Sequence, residues 1–248
     1  MTMAAAHHPA FRPDQDRRGP LRVAFLLFPN VTQLDLTGPA QVLSRLGGDA
    51  RLDLVWKTLD PVPTDAGFSI LPTATFADVP TADILCIPGG IGVNQVIADD
   101  AAMAWVERIG TSAQWVTSVC TGSIILGAAG LLRGYRATSH WAWRDQLALF
   151  GATPVAERVV VDRNRATGGG VTAGIDFALT LTALLRGEDH ARGVQLGLEY
   201  NPAPPFDAGT PAKAGEALVS AFEARMEKAA PGRHEELRDL AAARGFRS

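Results

Sequence analysis

Cysteine is scarce in this chain. There are two, Cys86 and Cys120, in 248 residues. At this size that excludes a disulfide scaffold, and with no export signal it points to free thiols in a reducing cytoplasm. Long apolar runs are missing as well: none approaches the roughly 20 residues that a membrane-spanning helix needs. Neither sign of charge is in excess, and a net charge of −3 leaves no basic footprint for nucleic acid. The opening stretch, MTMAAAHHPAFRPDQDRRGP, has no apolar core of the secretory kind and reads as a disordered arm over residues 1–20. The chain has no internal repeat and no low-complexity tract. Its histidines (His7, His8, His140, His190 and His234) form no metal-ligand spacing with one another, with cysteine or with acids.

What is present is globular in composition, with 47% hydrophobic and 20% charged residues. Leu21–Phe28 is a continuous apolar run of strand length. The helical spacing of Leu34, Val42, Leu43 and Leu46 follows it, closed by Gly47–Gly48, with Pro39 expected near the first turn. RLDLVWK alternates as a strand does, and FSILPTATFADV is a proline-broken excursion of short strands. Strands over Ile84–Ile87 and Trp115–Val119, and a short one over Arg136–Ser139, alternate with helices near Ala101–Ile109, Thr121–Ala129 and Trp143–Phe150. ERVVVDRNRAT predicts a hairpin around Asp162–Asn164, and GGGVTAGIDFALTLTALL a glycine turn into a long helix. Such alternation predicts an α/β fold, a doubly wound, mostly parallel sheet flanked by helices. After Asn201 a proline-rich crossing leads to charged helices near Lys213–Ala229 and Glu235–Arg244. The expected division is an α/β domain over 21–200 with a helical tail, 201–248, packed on the same domain.

Ligands gather at the C-terminal ends of such strands. Three segments therefore converge: the turn carrying Asp35, the Pro88–Gly89–Gly90 turn, and Cys120. Ser118-Val119-Cys120-Thr121-Gly122 has small residues two places either side of the thiol, the pattern of a nucleophile elbow. A helix N-terminus beneath the thiol would lower its pKa and display it to solvent. The alternative is a buried structural cysteine, and spacing alone leaves both readings open. Cys86, flanked by apolar residues in mid-strand, reads as core. Asp35, between two leucines, is either a functional acid of raised pKa or a helix-capping acid. His140, beside Trp141, either lines the site or packs there. Gly168-Gly169-Gly170 comes too late in the chain for a dinucleotide fingerprint, and a tight turn explains it.

Taken together, LLFPNVTQLDLTGP, ILCIPGGIGV, VTSVCTGSIILGAAGLLRGYRATSHWA and GGGVTAGIDFALTL resemble, in this order, the ThiJ/PfpI (DJ-1-like) superfamily over about Leu21–Leu185. VQLGLEYNPAPPFDAG extends the resemblance towards its isonitrile-hydrating branch. The resemblance implies an amidotransferase-like (flavodoxin-like) α/β fold and a hydro-lyase that converts isonitriles to N-substituted formamides through a thioimidate on Cys120. Asp35 would be the acid that shuttles protons, in a position where the superfamily commonly has Glu. The N–H groups of Gly90 and Thr121 would stabilise developing charge, the Thr121 hydroxyl would orient the water or the substrate nitrogen, and Gly89, Gly90 and His140 would line the substrate. It implies no cofactor, no metal, a small-molecule substrate, a homodimer, and no nucleic-acid or membrane partner. Protease-like members carry His after the cysteine where this chain has Thr121, which argues against a Cys-His dyad. Glyoxalase- or deglycase-like activity on reactive carbonyls is an alternative. So is a ligand or oxidant sensor, since the same core resembles the sensing domain of AraC-type regulators. The stretch after Leu185 is too short for their paired helix-turn-helix units.

Overall fold

The computed structural model describes residues 20–47 and 50–246; residues 1–19 of the expected arm lie outside the described residues. β1 (Leu21–Leu26) is followed by α1 (Gln33–Leu43) and β2 (Ala50–Trp56). The proline-broken stretch yields three two-residue strands, β3 (Val62–Pro63), β4 (Ser69–Ile70) and β5 (Ala74–Thr75). β6 (Ile84–Ile87) leads through the short α2 (Val93–Ile97) into α3 (Asp100–Ser112), and β7 (Trp115–Val119) runs almost directly into α4 (Gly122–Ala128). β8 (Arg136–Ala137), a 3-10 helix (Arg144–Phe150) and β9 (Thr153–Pro154) precede the hairpin of β10 (Val159–Asp162) and β11 (Arg165–Gly168). The chain continues through α5 (Ala173–Arg186), α6 (Glu188–Gly197), α7 (Pro211–Ala214), α8 (Glu216–Ala229) and α9 (Arg233–Ala243).

The main sheet has the order β10-β11-β7-β6-β1-β2-β5, parallel throughout except for the antiparallel edge strand β10. Every residue of β6 and β7 is buried, which is why both read as near-continuous apolar runs rather than alternating ones. The chain builds outward from β1 to β2 and β5, then crosses back to β6, β7 and β11 on the other side. This reversal puts the switch point of the sheet at the C-terminal ends of β1, β6 and β7.

Pro39 is not in the first turn of α1. The helix begins at Gln33, so Pro39 stands in its interior and deprives the Asp35 carbonyl of its usual helical donor. The close crossing of α1 and α5 accounts for it: a Cβ on Gly174 would come within 3.0 Å of the proline ring, and one on Gly38 within 3.4 Å of Ile175. Small residues on both helices let their backbones approach, and α1 brings Asp35 with it. The predicted helix near Trp143–Phe150 is a 3-10 helix, and the predicted tail helix from Lys213 is broken at Gly215, whose φ of 82° no regular helix accommodates.

The tail helices differ from each other. α9 buries Leu237 and Ala241, and Asn94 of α2 donates to its Arg233 carbonyl (3.1 Å) and Glu236 carboxylate (2.6 Å). None of the 14 residues of α8 is buried; its Phe222 rests on the rings of His140 and Trp141. Among the described residues no helix is long and apolar enough to cross a membrane.

Candidate active site

β7 ends at Val119, and Cys120 turns the chain into α4 with a φ of 56°, the left-handed region that an L residue enters only under constraint. The flanking small residues are required by the turn. A Cβ on Gly122 would collide with the Ile87 carbonyl oxygen, and Ser118 is enclosed beneath the elbow. Both backbone polar groups of Cys120 are held. Its N–H donates to the carbonyls of Gly169 (2.7 Å) and Gly168 (3.1 Å), and its carbonyl accepts from the hydroxyls of Ser139 (2.9 Å) and Ser123 (3.1 Å). The glycine triplet thus ends β11 against the elbow.

The three expected segments do meet. Asp35 is 1% exposed and lies in the first turn of α1. Its carboxylate leaves its own helix and accepts the Gly89 N–H at 2.9 Å, which disfavours the capping reading. The Gly90 N–H donates to the Thr121 hydroxyl at 3.0 Å. Side chains at either glycine are excluded: a Cβ on Gly89 would lie 2.6 Å from the Thr121 nitrogen and 2.9 Å from Asp35 Oδ2, and one on Gly90 would collide with the Asn30 carbonyl. The expectation that the Gly90 N–H faces developing charge directly is corrected by this bond. The amide is taken up by the Thr121 hydroxyl instead, which leaves the threonine proton free to point at the sulfur.

The expectation of an exposed, low-pKa thiolate is also corrected. Cys120 is 6% exposed. Burial and the adjacent Asp35 carboxylate hold its proton on, and outweigh the Thr121 amide and hydroxyl that favour the thiolate. Burial likewise drives Asp35 up to about 7, against the opposing hydrogen bonds from Gly89 and the Cys120 thiol, and the charge of Asp65 adds to the rise. Asp35 Oδ1 is buried with no hydrogen-bond partner. Near neutral pH, therefore, the thiol keeps its proton while the carboxyl beside it, in a closed space, is close to half-ionised.

His140 is half-buried and stands apart from this pair. Its ring lies 5.5 Å from that of Trp141 and 6.0 Å from that of Phe222, its Nδ1 accepts the Ala142 N–H at 3.3 Å, and burial holds its pKa down. Cys86 is core: its sulfur lies 2.9 Å from Thr117 Oγ1, and burial pushes its thiol up to about 12. The sequence reading missed Ser139, Ser123 and the Gly168 and Gly169 carbonyls as holders of the elbow. The only local signal for Ser139 was its place after a short strand at the sheet end.

The DJ-1/PfpI family model matches residues 21–184. Isonitrile hydratase of Pseudomonas putida is 54% identical over 211 residues, 85% of this chain and 91% of that protein. The HTH-type transcriptional regulator GbdR of Pseudomonas aeruginosa is 30% identical over 184 residues, but this chain spans only 48% of its length. Among solved structures, a ThiJ/PfpI family protein from Pseudomonas syringae superposes with a TM-score of 0.83 at 42% identity, covering 97% of this chain and 99% of that one. With a cysteine elbow at the switch point of a parallel sheet, and a family match across nearly the whole of that sheet and its helices, this chain belongs to the DJ-1/PfpI family.

Proposed function

We propose that the chain is an isonitrile hydratase in which Cys120 is the nucleophile and Asp35 the proton carrier. The observation that carries the reading is the buried Asp35 carboxyl beside the Cys120 thiol, with its Oδ1 left without a hydrogen-bond partner. The close likeness to the hydratase of Pseudomonas putida supports the choice of substrate.

The terminal carbon of an isonitrile, R–N≡C, accepts both a nucleophile and a proton. The sulfur of Cys120 forms a bond to that carbon while the thiol proton, taken up by Asp35, passes to the same carbon. The product is a thioimidate, R–N=CH–S–Cys120. Water then attacks the CH carbon. Asp35 removes a proton from it and returns that proton to nitrogen, giving R–NH–CH(OH)–S–Cys120. Collapse breaks the C–S bond, releases R–NH–CHO and restores the thiol with the hydroxyl proton. The sum is isonitrile plus water to formamide. A carrier with a pKa near 7 suits both directions of transfer. The Thr121 N–H and hydroxyl, the latter fixed by Gly90, stabilise charge on sulfur. Gly89 orients the carboxylate, and the His140 ring lines the approach as part of an aromatic group.

We place this activity in the cytoplasm, in keeping with two free cysteines, and in a homodimer. The uncovered α8, together with Leu196 at 81% and Phe206 at 79% exposure, supports a second copy as its cover. We divide the chain into an α/β domain over 21–200 and a tail docked on it through α9. The test is turnover of a simple alkyl and a simple aryl isonitrile by the purified protein, followed as formamide. Intact-mass measurement should catch a thioimidate on Cys120. No formamide from either substrate would overturn the reading.

A further inference from the structure

The Cys120–Thr121 peptide unit carries two groups that matter to the nucleophile. Its N–H, from Thr121, favours charge on the Cys120 sulfur. Its C=O, from Cys120, accepts from Ser139 and Ser123. A trans peptide is planar, with C=O and N–H pointing in opposite directions. Whatever fixes the direction of the carbonyl therefore also aims the N–H.

The two serines are not equivalent. Ser123 is three residues further along the same turn, so its bond moves with the elbow and cannot anchor it. Ser139 comes from a separate segment and is 3% exposed. That segment is fixed to the sheet. The N–H of Thr138 donates to Thr167 Oγ1 at 2.9 Å, and Thr167 of β11 stands in register with Ser118 of β7. Ser139 thus joins the strained elbow to the rigid frame beside it. A hydroxyl donating to an amide carbonyl also polarises the amide and strengthens its N–H as a donor.

We propose that Ser139 is a positioning residue for the reaction: by holding the Cys120 carbonyl at 2.9 Å, it aims the Thr121 N–H at the Cys120 sulfur. The inference rests on Cys120 being the nucleophile of the proposed hydratase. Ser139 touches neither substrate nor sulfur in this role. Its effect runs through one peptide plane, and it falls on the chemical step rather than on substrate binding.

The experiment compares wild type with Ser139→Ala and Ser139→Thr. One arm measures kcat and KM for n-butyl isonitrile; the other measures the rate of Cys120 alkylation by iodoacetamide across pH, located by peptide mapping. Ser139→Ala should lower kcat about 5- to 30-fold with KM within about twofold, the size expected of a misaimed donor. Its alkylation profile should move to higher pH, because the thiolate loses a well-aimed N–H. Ser139→Thr keeps the hydroxyl and should recover most of both. A folded Ser139→Ala protein with the kcat and alkylation profile of wild type overturns the proposal. If Ser139→Ala does not fold, Ser139→Cys decides under reducing conditions: a similar shape with a weaker donor should lower kcat at least about threefold, and wild-type kcat there overturns the proposal equally. Wild-type protein inactive on the isonitrile overturns the hydratase reading instead, and the alkylation arm still reports on the aim of the Thr121 N–H.

Discussion

The Asp35 carboxylate beside Cys120 holds the proton on its sulfur, and the Cys120 thiol in turn favours the ionised carboxylate against the burial that opposes it. In the proposed reaction, attack on the substrate carbon and transfer of the thiol proton would therefore be one coupled event. Both residues are almost wholly buried.

The pH–rate profile should follow from this pair. Asp35 must be ionised to take the thiol proton, and burial places its pKa at about 7. The rate constant kcat/KM should fall about tenfold per pH unit below that value and level off above it. Initial rates on one isonitrile between pH 5 and 9 check this. A flat profile through pH 6 would remove Asp35 from the proton path.

The two cysteines should separate cleanly. Cys120→Ala should abolish turnover and still fold, because it removes only a sulfur at the end of the elbow. Cys86→Ala should keep most activity and cost about 1–2 kcal/mol, since it opens a small cavity within fully buried β6. Kinetics with thermal melts check both. Activity in Cys120→Ala comparable to wild type would sink the mechanism.

Much of this arrangement was legible in the sequence, for identifiable reasons. Fully buried strands write themselves as short apolar runs, so Ile84–Ile87 and Trp115–Val119 could be placed to the residue. The elbow was legible because a tight strand-to-helix turn demands small neighbours, a local constraint. The burial of Cys120 was not legible, because it depends on segments distant in the chain: Asp35 of α1 lies beside the thiol, held by the N–H of Gly89 just after β6. Ser139 was hidden for the same reason: 19 residues separate it from the carbonyl it binds. Pro39 was misplaced because a proline suggests a helix start, whereas here it serves contact with Gly174 across the α1–α5 crossing.

Gly122→Ala should damage folding rather than chemistry alone. The added methyl would strike the Ile87 carbonyl, a backbone atom in a central strand that has no room to yield. We expect a loss of several degrees in melting temperature, or insoluble protein, whereas alanine at Gly209, where a Cβ meets nothing, should be tolerated. Similar melting temperatures for the two variants would show that the elbow has slack which the structure does not contain.

Asp35→Asn should trade activity for stability, by an amount that depends on pH. A positioned acid–base group contributes on the order of 10²–10⁴ in rate, so kcat should fall by that factor while the amide retains an acceptor for the Gly89 N–H. In the folded protein the Asp35 pKa is raised from 3.8 to about 7, so the neutral carboxyl is favoured by folding. That contribution is fully present below the unfolded value near 4 and is lost as pH rises through 7. It amounts to about 4 kcal/mol at most, with the coupled thiol reducing it. Asparagine stays neutral at every pH and escapes the loss. The variant should therefore melt above wild type at pH 8, and the difference should shrink towards pH 4. Thermal melts across that range, paired with initial rates, check both halves. A folded Asp35→Asn enzyme within about threefold of the wild-type rate, with a pH-independent difference in melting temperature, would return Asp35 to an ordinary helix acid and leave the proton carrier to be sought elsewhere.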